Sequence, residues 1–114
     1  MHTVTREYCN METFEASCPD GSLVVIDNAY YGRPRPSRCV TLNLSVGCGE
    51  DVLTILDSHC SGRRKCRVQL PEERMYRLVH ARDCLKDVEY YLEASYSCLP
   101  GGRKIIIINF TYLN

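Results

Sequence analysis

From Tyr90 onward the side chains alternate in character. Tyr90, Leu92, Ala94, Tyr96 and Cys98 fall on one face, and Tyr91, Glu93, Ser95 and Ser97 on the other. A period of two predicts a half-buried β-strand. The half-cystines Cys84 and Cys98 would tie this strand to distant parts of the chain. Leu23-Val24-Val25-Ile26 is a short β-branched run suited to a buried strand, entered by the turn Pro19-Asp20-Gly21-Ser22 and left at Asp27. Cys66-Arg67-Val68-Gln69-Leu70 alternates cleanly, with Cys66, Val68 and Leu70 inward.

Elsewhere the period lengthens. Val52, Leu53, Leu56 and Cys60 are spaced for one face of a helix over 51–60, with Ile55 and His59 beside the stripe as packing residues. Glu50 and Asp51 suit the positive end of that helix, and Ser61-Gly62 suits a stop. Pro71-Glu72-Glu73 opens a second short helix through about Val79. Residues 1–8 are polar and read as frayed up to Cys9. Pro34, Pro36 and the neighbouring arginines read as an exposed, stiff loop ending at Cys39, and residues 40–46 alternate loosely as a further strand. The isoleucine-rich run 104–112 has high β-propensity. It reads either as a strand returning beside residues 90–97 through Gly101-Gly102, or as a tail whose exposed edge invites self-association.

Composition narrows the class. The chain has 114 residues, a length for one domain with a modest core. It carries eight cysteines and no CxxC pair, which argues against a zinc site and for four disulfides in an oxidising compartment, secreted or cell-surface. Spacing alone leaves the pairing open among about 105 connectivities. Lysine and arginine number 14, as do the acids, so no global field points to nucleic acid or membranes. No secretory leader and no apolar run long enough to span a bilayer is read; for an extracellular domain, a leader removed or lying outside this stretch is expected. Asn43-Leu44-Ser45 and Asn109-Phe110-Thr111 fit the N-glycosylation acceptor pattern.

Candidate chemistry points to binding. An even cysteine count leaves no obvious thiol nucleophile, His2, His59 and His80 sit in no motif, and no carboxylate pair is recognisable. No enzyme activity, cofactor or metal is expected. Arg63-Arg64-Lys65-Cys66-Arg67 is a tight basic run, and Arg33, Arg35 and Arg38 form another. On a surface, Arg63, Arg64, Lys65 and Arg67 could hold a sulfated, heparin-like glycan, or they are simply solvated.

Tyr31-Gly32-Arg33, the order of the eight cysteines, and Asp83-Cys84 followed by Tyr91-Leu92-Glu93-Ala94-Ser95-Tyr96-Ser97-Cys98 together resemble one known family. It is the sea-urchin-egg-lectin type, or rhamnose/galactose-binding lectin, domain, also found in adhesion receptors such as latrophilins. The resemblance covers residues 9–98 and leaves 99–114 as a linker or additional strand. It implies a compact, disulfide-rich α+β fold of antiparallel strands with crossing helices, and sugar binding without metal. It also implies the pairs Cys9–Cys39, Cys18–Cys98, Cys48–Cys84 and Cys60–Cys66.

Carried over residue by residue, the implied sugar site comprises Asn10, Tyr31, Asp83, Lys86 and Tyr90. The family's acid after the first cysteine stands here as Asn10, its Asp-Pro-Cys as Asp83-Cys84, and its lysine before Tyr-Leu-Glu as Tyr90. The segment from Cys84 to Tyr91 is one residue longer than usual, so Lys86 or Asp87 either replaces the missing polar groups or sits in a solvated turn. Tyr31 is open between a sugar ligand and a packed strand-end tyrosine. Two partners follow: a cell-surface glycan, or a protein recognised by a receptor module that keeps the lectin scaffold. Nucleic acid is not expected.

Overall fold

A computed structural model describes residues 4–40, 47–81 and 89–100. In chain order these form β1 (Val4–Cys9), β2 (Thr13–Ser17), β3 (Ser22–Arg33), β4 (Cys48–Asp51), α1 (Leu53–Cys60), β5 (Lys65–Gln69), α2 (Glu73–His80) and β6 (Tyr91–Pro100). The strands make a four-stranded antiparallel sheet ordered β1-β6-β3-β4 and a two-stranded sheet β2-β5. This is a disulfide-rich α+β domain.

The alternating strand sits centrally, between β1 and β3. Its first face, with Leu92 and Ala94, enters the main core beside Val24, Ile26, Tyr31 and Phe14. The second face was expected to meet solvent, yet Tyr91, Ser95 and Ser97 are also buried. Tyr91 packs with Cys9, Cys39 and Val40, under the loop that follows β3. The Cys9–Cys39 disulfide pins that loop, while the Tyr91 hydroxyl donates to Arg35 O at 2.9 Å and faces Arg35 N at 3.3 Å. A tyrosine with both ring and hydroxyl satisfied closes this face as well as an aliphatic residue would.

β3 is far longer than the four-residue run at 23–26. It continues through Asp27 and Asn28 to Arg33, with a register shift between Ile26 and Asn28. An extra residue accommodated in one strand is a bulge, and it re-phases the faces so that Ala29 and Tyr31 return to the core. Ser97 Oγ donates to Asp27 Oδ2 at 2.6 Å, holding the irregular residue. Arg33, read as a loop cation, is instead buried at the strand end.

β1 corrects the expectation of a frayed start: it is an edge strand, paired from Val4 with Tyr96 to Cys9 with Tyr91. β4 likewise takes Glu50 and Asp51, expected in the helix, into the sheet. The contact depends on glycine. At Gly32 (φ +142°) a Cβ would meet Gly49 Cα at 2.5 Å, so β3 and β4 approach at a distance no side chain permits. α1 therefore starts at Leu53, although Asp51 Oδ1 still accepts from Leu53 N at 2.8 Å.

The remaining elements follow their periodicity. Val52, Leu56 and Cys60 are buried around α1, and Met75 and Val79 around α2. Cys66 and Val68 of β5 and the following Leu70 point inward, with Lys65, Arg67 and Gln69 exposed. Glu72 caps α2 by accepting from Met75 N at 3.0 Å. Disulfides Cys18–Cys98 and Cys60–Cys66 join the end of β6 to the lead into β3, and α1 to β5. Together with Cys9–Cys39 they are pairs that the resemblance implies. The pair Cys48–Cys84, the strand at 41–46 and the run 104–112 reach into or lie outside the described residues.

Candidate functional site

At one end of the main sheet β1 runs out at Cys9 and places Asn10 beside β3. Tyr31 of β3 is wholly buried and donates its hydroxyl to Asn10 Oδ1 at 2.6 Å. Its ring meets Tyr90 edge-on, at 5.8 Å and 80°. Tyr90 in turn touches Tyr76 of α2 at 5.8 Å, and Tyr76 stacks on His80 at 5.2 Å. Offset and edge-to-face aromatic pairs of this kind each add about 0.5–1.5 kcal/mol beyond their buried area. Four aromatic rings and one amide thus form a continuous cluster fed by β1, β3, α2 and the start of β6.

The electrostatics of the cluster set who donates. Burial pushes the Tyr31 phenol well above its ordinary pKa; the Asn10 bond lowers it and Tyr76 and Tyr90 raise it further. Tyr31 therefore stays protonated and remains a donor. With Oδ1 accepting from Tyr31, Asn10 also carries an Nδ2 donor, which an acid at this position would lack.

The structure brings together Asn10, Tyr31 and Tyr90 of the expected site. Tyr31 and Tyr90, at 0 % and 1 % exposure, form its floor rather than its solvent-facing wall. The exposed aromatic is Tyr76, at 37 %, a residue the sequence reading passed over. Its only signal was an aromatic on the polar side of an amphipathic helix, next to core-facing Met75. Met11, beside Asn10, is 79 % exposed and adopts φ +77°, unusual for a non-glycine residue. Among the described residues, His80 Nδ1 is buried without a hydrogen-bond partner. Asp83, Lys86 and Asp87 lie outside the described residues, as do Asn43 and Asn109.

The basic residues separate into two kinds. Arg63, Arg64, Lys65 and Arg67 are all exposed. Arg64 pairs with Asp20 at 3.2 Å and Arg67 with Glu15 at 3.0 Å. A groove of about 610 Å³ runs past Arg63, Lys65, Arg67 and Glu15. By contrast, Arg33, Arg35 and Arg38 do not form an open cationic face. Arg33 is buried, Arg35 is held by Glu93, and Arg38 reaches Glu12 at 3.1 Å and Glu7 O at 2.8 Å. His59, expected to be packing, instead bridges helices: its Nε2 lies 2.7 Å from Glu72 Oε2 and 3.2 Å from Arg74. Among the described residues, no group of three or more His, Cys, Asp or Glu side chains is placed to hold a metal ion.

A search of the curated proteins finds no match. The family model described as "D-galactoside/L-rhamnose binding SUEL lectin domain" matches residues 16–98, well over half of the chain. The matched span begins after Asn10. β3, β4, β5, both helices and the Cys18–Cys98 and Cys60–Cys66 bridges sit within that span, and the chain belongs to the SUEL lectin domain family, a family of carbohydrate-binding modules.

Proposed function

We propose that this domain is an extracellular, metal-independent lectin module that binds a galactose- or rhamnose-type sugar at the Asn10–Tyr31–Tyr90–Tyr76 cluster. The observation that carries the reading is where the chain leaves and returns. α2 ends at His80 and β6 is entered through Tyr90, and both residues belong to the cluster. The described residues His80 and Tyr90, on either side of the stretch that bears Asp83 and Lys86 in the sequence, are thus both part of the cluster. A monosaccharide site needs an apolar wall and a few convergent donors and acceptors. Tyr76 supplies the accessible ring, Asn10 Nδ2 a donor, and Asp83 and Lys86 one acceptor and one cation. The disulfides support an oxidising, secreted or cell-surface setting.

A second reading is a receptor module that binds a sulfated glycan or a protein instead of a simple sugar. The groove beside Arg63 and Lys65 favours it, since neither side chain is engaged in an ion pair among the described residues. Retention of the oxidised domain on galactose- and rhamnose-bearing matrices, with chelator present and elution by free sugar, tests the first reading. Retention on heparin alone, abolished in an Arg63→Ala/Lys65→Ala variant, would replace it with the second.

A further inference from the structure

The outer face of the four-stranded sheet carries a separate cleft of about 580 Å³, walled by Thr5, Asn28, Tyr30, Arg35, Asp51 and Glu93. Strand alternation sets it behind the Tyr31 cluster. Tyr30 pairs with Glu93, whereas the next residue, Tyr31, pairs with Leu92 and turns into the core. The two sets of side chains lie on opposite sides of one sheet.

The walls of this cleft are held in place before any ligand arrives. The Tyr30 hydroxyl donates to Gly49 O at 3.1 Å. Its ring lies so close over Gly49 that a Cβ there would meet Tyr30 Cε2 at 2.7 Å. Asn28 Nδ2 donates to Ser95 Oγ at 3.0 Å, which leaves its Oδ1 to accept. Asp51 Oδ1 takes the Leu53 N–H at 2.8 Å, which leaves Oδ2. Glu93 and Arg35 are tied to each other. One guanidinium against two carboxylates disfavours an anionic ligand. Acceptors outnumber donors, so a ligand rich in hydroxyl hydrogens and free of negative charge matches the lining. The fixed Tyr30 ring adds an apolar wall of the kind that packs against the carbon face of a pyranose.

We propose that this cleft is a second binding site, on the opposite face of the sheet, for a neutral saccharide unit. A single domain would then be bivalent and able to bridge two glycans without dimerising. The inference shares the family's carbohydrate-binding character but does not depend on the Asn10 cluster holding a sugar.

The test is a titration of the isotope-labelled, oxidised domain with D-galactose, L-rhamnose and N-acetyl-D-glucosamine, read at the amides of Thr5, Asn28 and Glu93. It is repeated on Asn10→Ala, Asn28→Ala and Glu93→Gln variants whose spectra show them folded. Saturable shifts at these three amides with at least one sugar are expected to keep their midpoint in Asn10→Ala. The midpoint should weaken about tenfold in Asn28→Ala and in Glu93→Gln, the value of one hydrogen bond to a hydroxyl. The proposal is overturned if the three amides stay still with every sugar, or if their shifts vanish in Asn10→Ala. It is equally overturned if Asn28→Ala and Glu93→Gln leave the midpoint unchanged. Shifts at Asn10, Tyr31 and Tyr90 are read separately, so failure of either site is seen independently.

Discussion

Tyr31 and Asn10 are bonded through the phenol, 2.6 Å from oxygen to oxygen, and this bond ties the end of β1 to the interior of β3. A wholly buried tyrosine thereby fixes a half-buried amide at the candidate sugar site. Tyr31→Phe should cost about 1 kcal/mol in a urea melt, because water can reach Asn10 and replace part of the lost bond. Sugar affinity at the cluster should fall with it, since the amide is no longer held. Unchanged affinity would mean that Asn10 is positioned by other groups or does not touch the ligand.

The β3–β4 contact should be the least tolerant backbone position. Gly32→Ala would drive a Cβ to 2.5 Å from Gly49 Cα and to 2.8 Å from Cys48 O. Neither atom is the flexible end of a side chain, so a loss above about 3 kcal/mol, or failure to fold, is expected. Gly21→Ala is the control: it has positive φ and nothing within 4 Å, and should cost only about 1–2 kcal/mol. Equal losses at both sites in denaturant unfolding would contradict the packing account.

Acid should loosen the two helices. Burial raises the Glu72 pKa, but the bonds from His59, Met75 N and Arg74 outweigh it and hold it below the usual carboxylate range. A depressed native pKa contributes stability that is present above the unfolded value, about 4.3, and lost as pH falls through the native value. Unfolding midpoints should therefore drop as the pH falls below about 4.3, and Glu72→Gln should flatten that slope. An unaltered slope in the variant would assign the acid sensitivity to other carboxylates.

Disulfide removal should scale with the loop closed. Cys18–Cys98 spans a separation of 80 residues and Cys60–Cys66 one of 6. Chain entropy assigns them about 4.5 and about 2.2 kcal/mol respectively. Serine pairs replacing each bridge should lower stability in that order, measured by thermal melts in non-reducing buffer. The reverse order would show that packing around the short bridge outweighs the entropy term.

What was legible in the sequence was what depends on local period. Cys66 to Leu70 and α1 declare their inner faces through spacing, whereas α2 is announced only by its Pro71-Glu72-Glu73 opening, which does not single out its inner residues Met75 and Val79. β3 beyond Ile26 did not, because the bulge at Asp27 breaks the alternation and Asn28 and Gly32 look like loop. β1 and β4 are polar strands whose pairing comes from distant backbone, and nothing in their own residues announces it. Asn10, Tyr31 and Tyr90 entered through family resemblance, not through pattern. Tyr76 and the His59–Glu72 bridge were hidden for a common reason: each depends on how α2 packs against its neighbours.

The most direct measurement of the central claim is an NMR titration of the labelled, oxidised domain with L-rhamnose and D-galactose, following the Asn10 and Tyr90 amides and the Tyr76 ring. The account predicts saturable shifts at these positions with at least one of the two sugars, unaffected by chelator. A well-folded sample in which both sugars leave all three positions unmoved would contradict it.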